Sequence, residues 1–118
     1  MIDYLIRGDY VEIPLFFEGL LQEDPPIYEP IDITGSSIFF TGKRFYEQDD
    51  ADADIQVEAD ITDGANGQAV LVFMPAATAN LIPGDMYYDM QITDVNGRPV
   101  TIARGVTVVL ADVTRRTI

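Results

Sequence analysis

The chain has no cysteine, no histidine and no tryptophan, and only seven of its 118 residues are basic. Without cysteine there is neither a disulfide framework nor a thiolate metal site, and the redox compartment stays open. Without histidine, the usual general base near neutral pH and the commonest metal ligand are both missing. The shortage of lysine and arginine against 20 acidic residues gives a formal net charge of −13. Such a charge repels phosphate backbones and anionic headgroups, so neither nucleic acid nor membrane is an expected partner, whereas a basic protein surface is. Long apolar runs are also missing: none approaches the roughly 20 residues that cross a bilayer. The opening Met1-Ile2-Asp3-Tyr4 carries no signal-peptide pattern, and a protein made in a cytoplasm is expected.

What is present is a globular composition, 47% hydrophobic, in a length that suits one domain over 1–118. Its periodicity is that of strands. Ile2, Tyr4 and Ile6 alternate with Asp3, Leu5 and Arg7, and Gly8-Asp9 breaks the run. A second strand spans Tyr10 to Phe17 with Val11, Ile13, Leu15 and Phe17 on one face. Pro14 cannot donate to a ladder, which places that strand at an edge or a bulge. Glu18–Pro30, acidic and rich in proline, reads as an irregular, stiff, projecting loop. A third strand covers Ser37 to Phe45, with Gly42 marking a bulge.

Ile55, Val57, Ala59 and Ile61 alternate with polar residues as a single strand with one wet face. Gln68–Met74 is nearly all apolar, as a central strand covered on both faces would be. Pro75–Ile82 allows one helical turn with Leu81 facing the core. Met86, Tyr88, Met90 and Ile92 alternate along another strand, and Asn96-Gly97 predicts a type I′ hairpin turn. The last strand runs from Val100 to about Val113, broken at Arg104-Gly105. Seven or eight short antiparallel strands, with at most one helical turn, predict an all-β sandwich of immunoglobulin-like type.

Chemistry is harder to find. No carboxylate pair sits among aromatic or basic neighbours that would split its pKa values for acid–base work. Serine and threonine have no histidine base and no Gly-x-Ser-x-Gly elbow. Lys43, the sole lysine, lies beside Arg44 in a predicted strand and reads as a strand-edge charge rather than a Schiff-base nucleophile. No catalytic residue and no cofactor is expected. Asp50, Asp52 and Asp54 have the first spacings of a calcium loop, with Asp49 or Glu47 able to assist. Ile55 and Ile61, however, stand where the glycine and the bidentate glutamate belong, so a solvated loop is the expected reading.

Arg7-Gly8-Asp9 spells the tripeptide that integrins read, and equally a strand-to-strand turn. Phe39, Phe40, Phe45 and Tyr46, with Phe16, Phe17 and Tyr28 elsewhere, are expected in the core; exposed, they would suit a carbohydrate or cell-surface platform. Leu81-x-Pro83-Gly84-x-x-Tyr87 resembles a tyrosine corner. Its spacing favours Tyr87, while the alternation turns Tyr88 inward, so one of the two should be buried and hydrogen-bonded.

Four pieces occur in order: Arg7-Gly8-Asp9 after the first strand; Asp32-Ile33-Thr34-Gly35 before an apolar strand; Leu81-Ile82-Pro83-Gly84 followed by Tyr87-Tyr88-Asp89-Met90-Gln91; and Gly105-Val106-Thr107-Val108 leading to Asp112-Val113-Thr114-Arg115. Together they are similar to the N-terminal Ig-like domain of phage baseplate upper proteins and related small phage tail proteins. The resemblance implies a non-enzymatic virion structural protein, an adaptor or attachment module of the tail or baseplate that binds other virion proteins within a symmetric assembly. A head decoration protein is the alternative within the same class. Expected docking elements are the Glu18–Pro30 loop with Pro25, Pro26 and Tyr28, the edge strand near Pro14, and the Thr114–Ile118 tail.

Overall fold

The computed structural model describes residues 2–45 and 53–111. Within them the chain forms β1 (Tyr4–Ile6), β2 (Val11–Phe16), β3 (Glu18–Glu23), β4 (Pro26–Pro30), β5 (Ser37–Lys43), β6 (Ile55–Glu58), β7 (Asp60–Asp63), β8 (Gln68–Phe73), β9 (Gly84–Thr93) and β10 (Pro99–Leu110). Among the described residues two single helical turns interrupt the strands, a 3₁₀ turn at Gly64–Asn66 and α1 at Pro75–Thr78. The expectation of at most one such turn was one too few.

The strands form three sheets. One has five strands in the order β1-β10-β9-β5-β6, the second three in the order β2-β8-β7, and the third is the β3-β4 ribbon alone. The protein is mostly β, as the alternation predicts, with ten strands rather than seven or eight among the described residues. The pairs are antiparallel except β1, which runs parallel to β10 with Leu5 opposite Val109. That register corrects the phase expected for β1. Leu5, not Tyr4, is buried, because its partner Val109 faces the core.

A single core cluster draws on the five- and three-stranded sheets together. Ile38 and Phe40 of β5, Met86, Tyr88 and Met90 of β9, and Val109 of β10 meet Leu15 of β2 and Ala69, Leu71 and Phe73 of β8. At its centre the Phe40 ring stands edge-on to Phe73, with centroids 5.0 Å apart, and stacks on Tyr88 at 5.4 Å. Burying a phenylalanine of this kind stabilises the fold by roughly 2–3 kcal/mol. Thr107 is fully buried in the same layer, and its hydroxyl has no hydrogen-bond partner.

Several local expectations are corrected by tertiary geometry. The run Ile55–Ile61 is two strands: after β6 the chain leaves the five-stranded sheet at Ala59, whose N–H donates to the Ile38 carbonyl at 2.8 Å, and β7 joins the other sheet. Gly42 carries no bulge, since β5 pairs in unbroken register with β6 and β9. Its lack of a side chain instead lets Ile55 and Met86 close over it, both within 2.7 Å of where a Cβ would stand. β10 is continuous through Arg104-Gly105, and its irregularity falls at Ile102.

β8 is central in its sheet, but its Val70 and Val72 face is only half-covered. The β9–β10 turn is not type I′, because Asn96 does not take a positive φ; among 94–98 only Gly97 does, at 78°. Asp94 explains the choice. Its carboxylate accepts from the Asn96 and Arg98 N–H groups at 2.9 and 3.0 Å and from the Arg98 guanidinium at 2.8 Å, which fixes a longer turn.

Candidate docking surface

Glu18–Pro30 is not an irregular loop but a regular ribbon. β3 and β4 pair through Glu18–Pro30, Gly19–Glu29, Leu20–Tyr28, Gln22–Ile27 and Glu23–Pro26, with Leu21 as the extra residue of a bulge. The Leu20-Leu21 doublet is what breaks the simple alternation, and it hid the strand from a period-two reading. At the tip, Gln22 Nε2 donates to the carbonyls of Asp24 and Pro25 at 3.3 and 3.2 Å.

The ribbon is fixed at its base. Ile31 N–H donates to the Phe17 carbonyl at 2.9 Å, and Phe17 N–H to the Gly67 carbonyl at 2.8 Å. Gly67, at φ 68°, lies so close that a Cβ there would be 2.4 Å from the Phe17 oxygen and 2.8 Å from the Ile31 oxygen. The chain therefore leaves and re-enters the body through one tight crossing.

Beyond that crossing the ribbon stands in solvent as an arm. Every residue of β3 and β4 except Gly19 is exposed. The molecule measures 51 × 30 × 27 Å; the excess of the long axis is about the length of a six-residue strand, roughly 20 Å. Its radius of gyration, 16.0 Å, exceeds the roughly 13.5 Å expected of a compact chain this long. Yet the arm is not polar. Leu20, Leu21, Ile27 and Tyr28 are 52%, 61%, 43% and 59% exposed.

At the foot of the arm an apolar groove of about 270 Å³ opens between the sheets, lined by Leu15, Phe16, Phe17, Ile31, Met90, Ile102 and Ala103, with Glu18 on its wall. Phe16, at 67%, is among the most exposed apolar side chains of the protein. This contradicts the expectation that Phe16 and Tyr28 lie in the core; Phe45 is exposed as well. Pro14 is where its chemistry puts it, on β2 at the edge of the three-stranded sheet, exposed and opposite Val70. The sequence-chosen Pro25, Pro26 and Tyr28 thus share the arm, while Pro14 lies on the strand that leads into it.

A second depression, about 230 Å³, lies on the outer face of the five-stranded sheet, lined by Thr41, Lys43, Tyr87, Tyr88, Asp89, Thr101 and Arg104. Around it the face is polar, with Gln56 Nε2 donating to Thr41 at 3.2 Å and Gln91 Nε2 to Thr101 at 3.5 Å. Lys43 is half-buried there beside Tyr87 in register. Phe39 pairs with Gln91 and Tyr87 with Lys43, four residues apart along the sheet. Roughly 13 Å of strand thus separates the two positions.

Gly8 N–H donates to the buried Thr78 hydroxyl at 2.9 Å and Arg7 Nη1 to the Leu81 carbonyl at 3.5 Å, so the Arg7-Gly8-Asp9 turn is fastened to α1 and to the segment that follows it. Of the corner residues, Leu81 is buried, Pro83 and Gly84 are exposed, Tyr87 is half-buried on the outer face and Tyr88 is buried. The Tyr88 hydroxyl accepts from Ile2 N–H at 3.3 Å. It therefore ties the segment before β1 to β9 instead of reaching a nearby backbone group as a tyrosine corner does.

Asp54 is exposed, and its N–H donates to the Gly42 carbonyl at 2.9 Å. Asp50 and Asp52 lie outside the described residues, as does the Thr114–Ile118 tail. Among the described residues no group of three or more acidic side chains is placed to hold a metal ion, and no helix is long and apolar enough to cross a membrane. No protein-family model matches the chain, and neither does any curated protein.

Proposed function

We propose that this chain is a non-enzymatic structural protein of a phage particle, an immunoglobulin-like β-sandwich that serves as an adaptor or attachment module of the tail or baseplate. The sandwich reading is supported by two sheets that share one core and by a first strand lying parallel to the last. The phage reading is supported by the four ordered motifs, from Arg7-Gly8-Asp9 to the Asp112–Arg115 ending.

One observation carries the attachment role: a ribbon tightly anchored at its base that holds large apolar side chains out in water. A two-stranded ribbon is at best marginally stable alone, and exposed apolar clusters mark surfaces that are covered in an assembly. The partners are other virion proteins, met in the host cytoplasm during assembly, and the acidity of the chain suits a basic neighbour. No reaction, nucleic acid or membrane is involved.

The test is to delete the gene and image the particles by electron microscopy, alongside mass spectrometry of wild-type particles. Missing or unassembled tail tips in the deletion, with the protein present in wild-type particles, are expected. Intact tails on heads with a smoother surface would move the protein to the capsid exterior. Its absence from purified particles would overturn the reading.

A further inference from the structure

We infer that the β3–β4 arm and the groove at its foot form one attachment surface, whose occupant is a segment of a different virion protein that carries an apolar anchor flanked by lysine or arginine. The inference rests on the virion reading above and names the partner's chemistry and the residues that meet it.

The arm and groove are joined through the backbone: Glu18 begins β3 and Ile31 follows β4, and both line the groove. Leu20, Leu21 and Tyr28 on the ribbon and Phe16 and Ile31 at its foot are all at least 45% exposed. The groove itself, about 270 Å³, has room for one large side chain. A partner that filled it while lying along the ribbon would cover Leu20 and Tyr28 together, since the two are directly opposed and share a face.

Charge decides which partner this is. Every ionisable group of the arm apart from the Tyr28 phenol is a carboxylate: Glu18, Glu23, Asp24 and Glu29. From Gly8 to Gly42 there is no lysine or arginine, against seven acidic residues. A second copy of this chain, at −13, would bring acid against acid across a rim where like charges disfavour docking. A segment with cationic side chains beside its apolar anchor converts that repulsion into steering and register.

The test places the photo-cross-linker p-benzoyl-phenylalanine at Tyr28, and separately at Phe16, in the full chain supplied to gene-deleted phage; purified particles are irradiated and cross-linked peptides sequenced. The expected product joins this chain to one other virion protein, at a peptide with lysine or arginine within a few residues of a large apolar side chain. In parallel, Glu18→Gln, Glu23→Gln, Asp24→Asn and Glu29→Gln combined should lower incorporation about tenfold, as four rim charges of a few tenths of a kcal/mol each imply.

A cross-link to another copy of this chain, or to an acidic segment, overturns the inference. So does the absence of any cross-link at both positions in particles that contain the protein. Absence of the wild-type protein from particles instead overturns the virion reading, and the inference with it.

Discussion

Gly67 and Gly97 offer a matched pair for testing the crossing that holds the arm. Both take left-handed φ values, 68° and 78°, so alanine at either is strained in the same way. They differ in what a methyl group would meet. At Gly97 nothing lies within 4 Å, whereas at Gly67 the Cβ would fall 2.4 Å from the Phe17 oxygen and 2.8 Å from the Ile31 oxygen. Those are backbone atoms of segments already hydrogen-bonded to one another and to Gly67, so none can yield alone.

Gly97→Ala should therefore cost about 1 kcal/mol, the left-handed penalty by itself. Gly67→Ala adds the loss or stretching of the Phe17–Gly67 and Ile31–Phe17 bonds at about 1 kcal/mol each, for roughly 3–4 kcal/mol in all. Urea unfolding followed by circular dichroism reads both on one scale. Equal losses for the two variants, or a loss under about 1.5 kcal/mol at Gly67, would refute the tight crossing.

Three further outcomes follow from the body of the protein. Phe40→Ala, which empties the centre of the Phe73–Tyr88 aromatic group, should cost about 3–5 kcal/mol in the same assay, and a loss near 1 kcal/mol would mean the two sheets do not close over it. Thr107→Val removes a buried hydroxyl that has no partner and should raise stability by about 1 kcal/mol; a fall in melting temperature would show that the hydroxyl is satisfied. The Asp94 carboxyl is held below its ordinary pKa, chiefly by the Arg98 N–H. Its folded pKa being the lower, its contribution is complete above the unfolded value and is lost as pH falls through the folded one. Asp94→Asn should accordingly flatten the acid limb of the stability curve and leave its slope near neutrality unchanged.

The sequence made strands legible wherever one side of a strand faces the core and the other faces water. β2 and β9 were readable in phase because Val11, Ile13, Leu15 and Met86, Tyr88, Met90 obey period two without a partner's help. Pro14 marked an edge strand for the same local reason, a missing donor. β1 failed because its phase is set by a parallel partner more than 100 residues away, Leu5 against Val109. The single run Ile55–Ile61 hid a change of sheet at Ala59, which alternation cannot register, since both halves keep their apolar faces toward one core. The prolines of Glu18–Pro30 masked a ribbon whose only strong sign, Leu20-Leu21, is the bulge that breaks the pattern. That Phe16 and Tyr28 are exposed could not be read from composition, because aromatic residues are ordinarily interior and only tertiary geometry shows these two left outside.

The claim that the arm serves attachment and not folding is tested most directly by Leu20→Ser, Leu21→Ser and Tyr28→Ser together, scored for both melting temperature and incorporation into particles. Leu20, Leu21 and Tyr28 are 52%, 61% and 59% exposed and stand outside the core cluster, so the melting temperature should stay within about 3 °C of wild type while incorporation falls to background. A variant that melts far earlier yet still enters particles at the wild-type copy number would contradict it.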